Sequence, residues 1–293
     1  MKIFNYEILF FIVCNINMIK WKIDKKILKT EDYKLNNNNA ARIAKKDFNT
    51  ICKHYTHIKS KNIFSFLKMN REIWNSFKGI GLDVGGGVGL ISSIIAKKKD
   101  VEKIYCVEIV KNAVLKCQPI VKNKILKSRK DKVISVLGSF DNIELNKSSV
   151  DFLVAWDSLH HSSNILKTLK ELKMILKKGG KFIIIDRGHD NQTPEFEINR
   201  MRNVVYSKEF LKSNFLPTNK ILTRKMNGER EYRYKDWEFF FKKTGFKIKK
   251  RIIMKERHKK VLNKKNDDNI KEKIINFEIG GFERKKIVYL LTY

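Results

Sequence analysis

The segment Leu82-Asp83-Val84-Gly85-Gly86-Gly87-Val88-Gly89 constrains this chain more than any other. β-forming residues run into four glycines and then into a helical pattern over residues 90–97. The backbone must therefore pass from a strand, through a loop almost free of side chains, into a helix. Such a loop lets a ligand approach the main chain and meet the unpaired amides of the first helical turn. The dinucleotide fingerprint GxGxxG needs a glycine at position 90, where Leu90 stands. The spacing is instead Asp-x-Gly-x-Gly-x-Gly, on Asp83, Gly85, Gly87 and Gly89. An acidic residue just ahead of the glycines argues against a pyrophosphate ligand and suits one that carries an ammonium group.

A second carboxylate supports this reading. Glu108 closes the next apolar run, Ile104-Tyr105-Cys106-Val107-Glu108, 25 positions after Asp83. In doubly wound folds an acid here accepts hydrogen bonds from both ribose hydroxyls and repels a 2′-phosphate.

The flanking pattern fits that architecture. With 293 residues, 42% of them hydrophobic, the chain can bury a large core as one or at most two globular domains. From about residue 78 to 188, short β-branched runs alternate with helical stretches, the mark of an α/β doubly wound sheet with helices on both faces. Strands are expected over 81–84, 103–108, 132–138, 151–156 and 181–186. A helix carries Leu166, Leu169, Leu172, Ile175 and Leu176 and stops at Gly179-Gly180. Residues 189–235 break the alternation, carry Pro194 and Pro217, and read as an inserted lid. A helix over 236–243 and strands over 247–254 and 287–292 follow, with a polar connection at 256–284 that holds a short helix near 270–277. Residues 20–77 read as helical, basic and separate from the sheet, within an N-terminal extension, 1–77, that precedes the main domain, 78–293.

These motifs together resemble the class I S-adenosylmethionine-dependent methyltransferases, within them the small-molecule group related to the ubiquinone and menaquinone enzymes. The resemblance rests on the 82–89 loop, Glu108, Val150-Asp151-Phe152-Leu153-Val154, Leu159-His160-His161, Leu176-Lys177-Lys178-Gly179-Gly180, and Asp236-Trp237 running to Thr244-Gly245-Phe246. It covers residues 78–190 and, more loosely, 230–293. It implies a Rossmann-like, seven-stranded sheet with an antiparallel last strand, and S-adenosyl-L-methionine as cofactor. Asp83, Gly85, Gly86, Gly87 and Gly89 would then hold the methionine portion and Glu108 the ribose. The family's adenine-binding acid follows a glycine after the third strand; here Ser139 follows Gly138, so Asp141 is the expected substitute, with Phe140 and Ile109 flanking the ring.

Ligands of such sheets sit beyond the strand carboxyl ends, which places Trp156-Asp157-Ser158-Leu159-His160-His161 near the transferred methyl. Displacement at a sulfonium asks mainly for alignment and desolvation of the nucleophile. A base helps where the acceptor has a proton to lose, and His160 or His161 is the candidate, with Asp157 beside the methionine portion or the acceptor. The alternative is a helix-capping His and a loop-orienting Asp157. His189 and Tyr206, with Tyr232 and Tyr234, are candidates for contacting the acceptor, against the alternative of a solvated loop with aromatics packed beneath it.

The same segment argues against two nucleic-acid classes. No proline lies between Pro119 and Pro194, so the Asn/Asp-Pro-Pro-aromatic sequence of amino-directed base methylation is missing. No cysteine follows Cys117, so the nucleophile of cytosine C5 chemistry is missing too. A small-molecule acceptor (a quinone precursor, a phenol or a sugar) is the leading expectation; RNA is the alternative, and a non-catalytic protein of the same fold a third. The net charge of +32 would favour a polyanion, but Arg supplies only 12 of the 63 basic residues, and Asn, Ile and Phe abound as in an A/T-rich genome. Cys14, Cys52, Cys106 and Cys117 form no CxxC pair and no metal-ligand spacing, so no metal and a reducing, cytoplasmic setting are expected. The apolar run 8–19, too short to span a bilayer, leaves open peripheral membrane contact, a packed element, a signal sequence, or a start at Met18.

Overall fold

The structure, a computed structural model, describes residues 18–56, 67–68, 70–254 and 285–293. The run 8–17 and the connection 256–284, with its expected helix, lie outside the described residues.

The strands are β1 (Met18–Lys20), β2 (Gly79–Val84), β3 (Val101–Glu108), β4 (Val133–Leu137), β5 (Val150–Trp156), β6 (Leu176–Gly188), β7 (Lys247–Met254) and β8 (Lys285–Thr292). They form one sheet in the order β1-β4-β3-β2-β5-β6-β8-β7. Pairing is parallel from β1 to β6, and β8 runs antiparallel to both β6 and β7. The order reverses between β2 and β5, so the loops after these strands part at a topological switch point, where ligands of such sheets bind.

Both faces are buried, which is why the strands read as near-continuous apolar runs. On β6, Ile183 and Ile185 enter one core cluster and Phe182 and Ile184 the other, as a two-residue side-chain period requires. The helix Ile165–Ile175 buries Ile165, Leu169, Leu172 and Ile175, and Asn164 caps it by accepting from Lys167 N. It ends at Ile175, one residue earlier than the apolar spacing predicts. Leu176 is extended, pairs with Val150 and opens β6, so the Gly179-Gly180 bend falls inside strand pairing instead of ending a helix.

Two expectations change. The sheet has eight strands instead of seven, because Met18–Lys20 adds a parallel edge to β4. Residues 20–77 are not separate from the sheet. Trp21 is buried against Gly138, and Ile43, Ile51, Cys52, Leu67, Ile73 and Phe77 are buried in the core cluster of the main domain. The helix Glu31–Ile43 lies beside the turn after β3 and beside the 189–235 segment, which folds as the helices Glu195–Arg202 and Lys208–Ser213 and a 3-10 turn Lys225–Asn227. Among the described residues no helix is long and apolar enough to cross a membrane.

Candidate active site

The glycine loop is pressed between β3 and the loop after β5. A Cβ on Gly85 would stand 2.7 Å from Ser158 Cβ and 3.3 Å from Phe140, and the residue's φ of +70° is itself a glycine conformation. A Cβ on Gly86 would meet Cys106 Sγ at 2.4 Å. Ser158 Oγ donates to Val84 O, joining the ends of β5 and β2. Gln118, which the sequence reading missed, donates from Nε2 to Gly87 O at 2.9 Å and braces the loop from below.

Glu108 lies across the loop. It accepts from Gly87 N at 2.9 Å and from Val110 N at 2.8 Å, one bond on each oxygen, which leaves each oxygen a further lone pair. Burial pushes its carboxyl up, against the pull of those amides. Ile109 follows it, half-buried.

Asp83 lies beneath the loop, its Oδ2 3.1 Å from the Cβ position of Gly86. It is buried, and its Oδ2 accepts from Ser92 N at 3.1 Å and Ser92 Oγ at 2.6 Å in the helix Leu90–Ile95. Its Oδ1 has no hydrogen-bond partner among the described residues. Burial raises its carboxyl to about 7. The unmatched Oδ1, the spare lone pairs of Glu108 and the side-chain-free loop fit a ligand that brings an ammonium group and a ribose diol.

Asp141, expected to face an adenine, is used otherwise. It accepts from Ser162 Oγ at 3.1 Å, Ser163 N at 3.2 Å, Ser163 Oγ at 2.7 Å and Thr168 Oγ1, tying the start of the helix Ile165–Ile175 to the loop after β4. Both its oxygens serve this tether. Phe140 does stand beside Gly85.

Beyond β5 and β6 lies a buried ionic network. His160 Nδ1 is 2.7 Å from Asp186 Oδ1, and both side chains are fully buried. Asp186 also accepts from the amides of Leu159, His160 and Arg187. A carboxylate so engaged only accepts, so Nδ1 carries a proton. Nε2 makes no hydrogen bond among the described residues and faces Glu229 Oε2 at 3.6 Å. Asp157, at a φ of +51°, accepts from Arg187 Nε at 3.1 Å, with Lys286 Nζ at 3.6 Å. His161 is exposed and donates from Nδ1 to Gly228 O at 3.1 Å. The two adjacent histidines are thereby assigned different environments.

Arg187, at the end of β6, and the 189–235 segment supply residues that sequence reasoning did not single out. Arg187 pairs with Glu229, and Arg224 with Glu231 and, at 3.5 Å, with Glu229. Burial pushes the Glu229 carboxyl up, but Arg187, followed by His160 and Arg224, outweighs it and holds the group at about 2. His189 Nε2 lies 2.6 Å from Glu231 Oε2 and is buried with it, so His189 braces the lid. Tyr206 stacks on Phe210 in a small cluster with Leu35, Leu211, Leu216 and Leu222, while Tyr232 and Tyr234 pack into the core by Trp237. The signal in the sequence was the matched spacing of Arg187-x-His189 with Glu229-x-Glu231, which pair one to one across 42 positions.

One donor atom from each of His160, His161 and Glu229 lies within 4.8 Å of the other two, and Asp157, His160 and Asp186 form a second such group. The cations Arg187, Arg224 and Lys286 already stand against these carboxylates, so the cluster meets its negative charge from within the chain.

Comparison with known proteins fits this geometry. Residues 82–184, from the end of β2 into β6, match the family described as "Methyltransferase domain". A sarcosine/dimethylglycine N-methyltransferase of Aphanothece halophytica is 29% identical over 114 residues, 39% of this chain and 40% of that protein. A demethylmenaquinone methyltransferase of Leptospira interrogans is 29% identical over 159 residues, 52% of this chain and 63% of that one. The matches thus span about two fifths and three fifths of these relatives' own length. A crystal structure from Galdieria sulphuraria, described as a candidate sarcosine dimethylglycine methyltransferase, superposes with a TM-score of 0.57 at 17% identity, covering 80% of this chain and 86% of that one. At that identity the likeness is one of fold.

Proposed function

The chain carries a class I S-adenosylmethionine-dependent methyltransferase domain, and from that premise we propose that the protein methylates a small-molecule acceptor with a proton to lose, such as a phenol, a quinone precursor or a sugar hydroxyl. The observation that carries this reading is His160: a buried imidazole whose Nδ1–H is fixed by Asp186 and whose Nε2 makes no hydrogen bond among the described residues, at the carboxyl end of β5. The named relatives act on small molecules, which supports the acceptor class.

When bound, S-adenosyl-L-methionine supplies an electrophilic methyl group whose leaving sulfur becomes neutral. Glu108 and the glycine-loop amides would hold its ribose and methionine portions, and Asp83 Oδ1 would be available to its ammonium group. His160 Nε2 takes the acceptor's proton. The imidazolium so formed lies between Asp186 and Glu229, both held in place by their own partners, so little reorganisation accompanies the charge. Asp157, pinned by Arg187, shapes the turn that presents His160.

The test is a product assay: purified protein, labelled methyl donor, and acceptor panels of phenols, quinols, sugars, amines and RNA side by side. Transfer to a hydroxyl or quinol that falls sharply in His160→Asn supports the reading. Transfer to RNA alone, with salt-dependent binding, would favour the alternative that the basic composition suggests. A cytoplasmic location is part of the proposal, as is peripheral membrane contact for a lipophilic acceptor.

A further inference from the structure

Gln118 lies fully buried beneath the glycine loop, and the sequence Ala113-Val114-Leu115-Lys116-Cys117-Gln118-Pro119 puts it there. Pro119 has no N–H to give to Leu115 O, so a regular helix would lose a bond at this point. The chain opens instead into a π-helical turn, Ala113–Cys117, closed by the Gln118 N–H on Ala113 O, before the helix Gln118–Leu126 begins. The wider turn shifts the helical register, and Cys117 and Gln118 are both fully buried.

A glutamine is a costly way to fill that space. Its Nε2 donates to Gly87 O at 2.9 Å and lies 3.4 Å from Cys106 Sγ, while its Oε1 makes no hydrogen bond among the described residues. A buried acceptor without a partner weakens a fold, and an apolar side chain of similar size would avoid that loss. Packing alone therefore does not account for this residue. What the glutamine adds is its bond to Gly87 O.

That bond has a direction. Gly87 has a φ of +52°, and without a side chain its two flanking peptide planes turn easily. Glu108 holds the plane before it, by accepting from Gly87 N at 2.9 Å, and Gln118 holds the plane after it, through Gly87 O. In a trans peptide the C=O and the N–H point in opposite directions. With Gly87 O drawn down to Gln118, the Val88 N–H points away from Gln118. Val88 is buried, and its N–H makes no hydrogen bond among the described residues. Buried amides without a partner are rare in folded proteins, so the loop presents an N–H whose acceptor a ligand would supply.

We propose that Gln118 is a positioning residue for the methyl donor: it fixes the Gly87–Val88 peptide so that the Val88 N–H meets an acceptor atom of the donor's methionine portion. The proposal rests on the methyltransferase reading above and deepens it. Gln118 stays on the far side of the loop from the ligand and acts through that peptide.

The test uses the full chain, with S-adenosyl-L-homocysteine as the probe in calorimetric titrations near pH 5 and near pH 8. The proteins are the wild type, Gln118→Met, which keeps the size and removes the donor, and Gln118→Glu, which restores a donor only when protonated. The titratable groups around position 118 are Cys106, with Asp83 and Glu108 beyond it, and Lys122 one turn along its own helix, bonded to Val133 O and Ser135 Oγ. Asp83 titrates in the same range, so each variant is compared with the wild type at the same pH. We expect Gln118→Met to bind about tenfold more weakly at both pH values, with little change in melting temperature. We expect Gln118→Glu to bind about tenfold more weakly near pH 8 and to return to within about threefold of the wild type near pH 5, as the buried carboxyl regains its proton. Variants that match the wild type within about twofold at both pH values, or a Gln118→Glu deficit that is the same at both, overturn the positioning role while leaving the cofactor assignment in place. Failure of the wild type to bind removes the methyltransferase reading and the positioning role together.

Discussion

His160 and Asp186 are bound Nδ1 to Oδ1 at 2.7 Å inside the protein, while His161, one residue on, is exposed and bonded to a lid carbonyl. This asymmetry decides which histidine can serve as a base. Of these two, His160 has a buried Nε2 that makes no hydrogen bond among the described residues.

Asp186→Asn should therefore behave differently from a general loss of packing. An asparagine can present its amide to Nδ1 and favour the wrong tautomer, so we expect kcat to fall about 10²-fold or more, with affinity for the methyl donor unchanged. Steady-state kinetics of Asp186→Asn beside His161→Ala, which should keep kcat within about threefold, checks this.

Glu229→Gln should be costly. It leaves Arg187 and Arg224 short of a buried partner, and breaking such a pair costs about 3–5 kcal/mol. By contrast Lys34→Ala, which opens an exposed pair with Glu31, should leave the melting temperature unchanged. Glu229 also sets an acid limit. Its folded value is depressed from 4.5 to about 2, so the stability it contributes is full above pH 4.5 and is lost as pH falls through that window. Thermal melts of wild type and Glu229→Gln between pH 2 and 7 should converge at the acid end.

Asp83 runs the other way. Its folded value is raised from 3.8 to about 7, so the folded state binds the proton more tightly and stability falls as pH rises from about 4 to 7. Asp83→Asn removes that fall and should melt higher than wild type at pH 8, while binding S-adenosylmethionine more weakly at the same pH. A variant that melts lower at every pH would contradict the assignment.

Because arginines and Lys286 already face the carboxylates near His160, methyl transfer should proceed unchanged after dialysis against a chelator. Metal analysis of the dialysed protein, beside an assay with and without added Mg²⁺ or Zn²⁺, checks this.

What was legible in the sequence was local. The strand, glycines and helix at 79–95, and Glu108 at the end of the next strand, are contiguous signals, and they led to the parallel sheet that the structure shows. The bonds that Asp141 makes were not legible because their partners, Ser162, Ser163 and Thr168, lie 21 to 27 residues away and only the fold brings them near. Glu229 and Glu231 went unnoticed because they sit in a stretch with no periodicity, and their value comes from Arg187 and His189. The N-terminal segment was set apart because a three-residue edge strand has too few positions to show alternation, and an asparagine-rich helix shows little amphipathic contrast.

The central claim is that Gly85 to Gly89 and Glu108 hold a methyl-donating nucleoside. Calorimetric titration of wild type and Glu108→Ala with S-adenosylmethionine, and with NADH in parallel, tests it most directly. The account predicts binding of the methyl donor near micromolar, no comparable binding of NADH, and a loss of about tenfold or more in the variant, as expected when a charged acceptor of two hydroxyls is removed. Equal binding by wild type and variant, or preference for NADH, would contradict it.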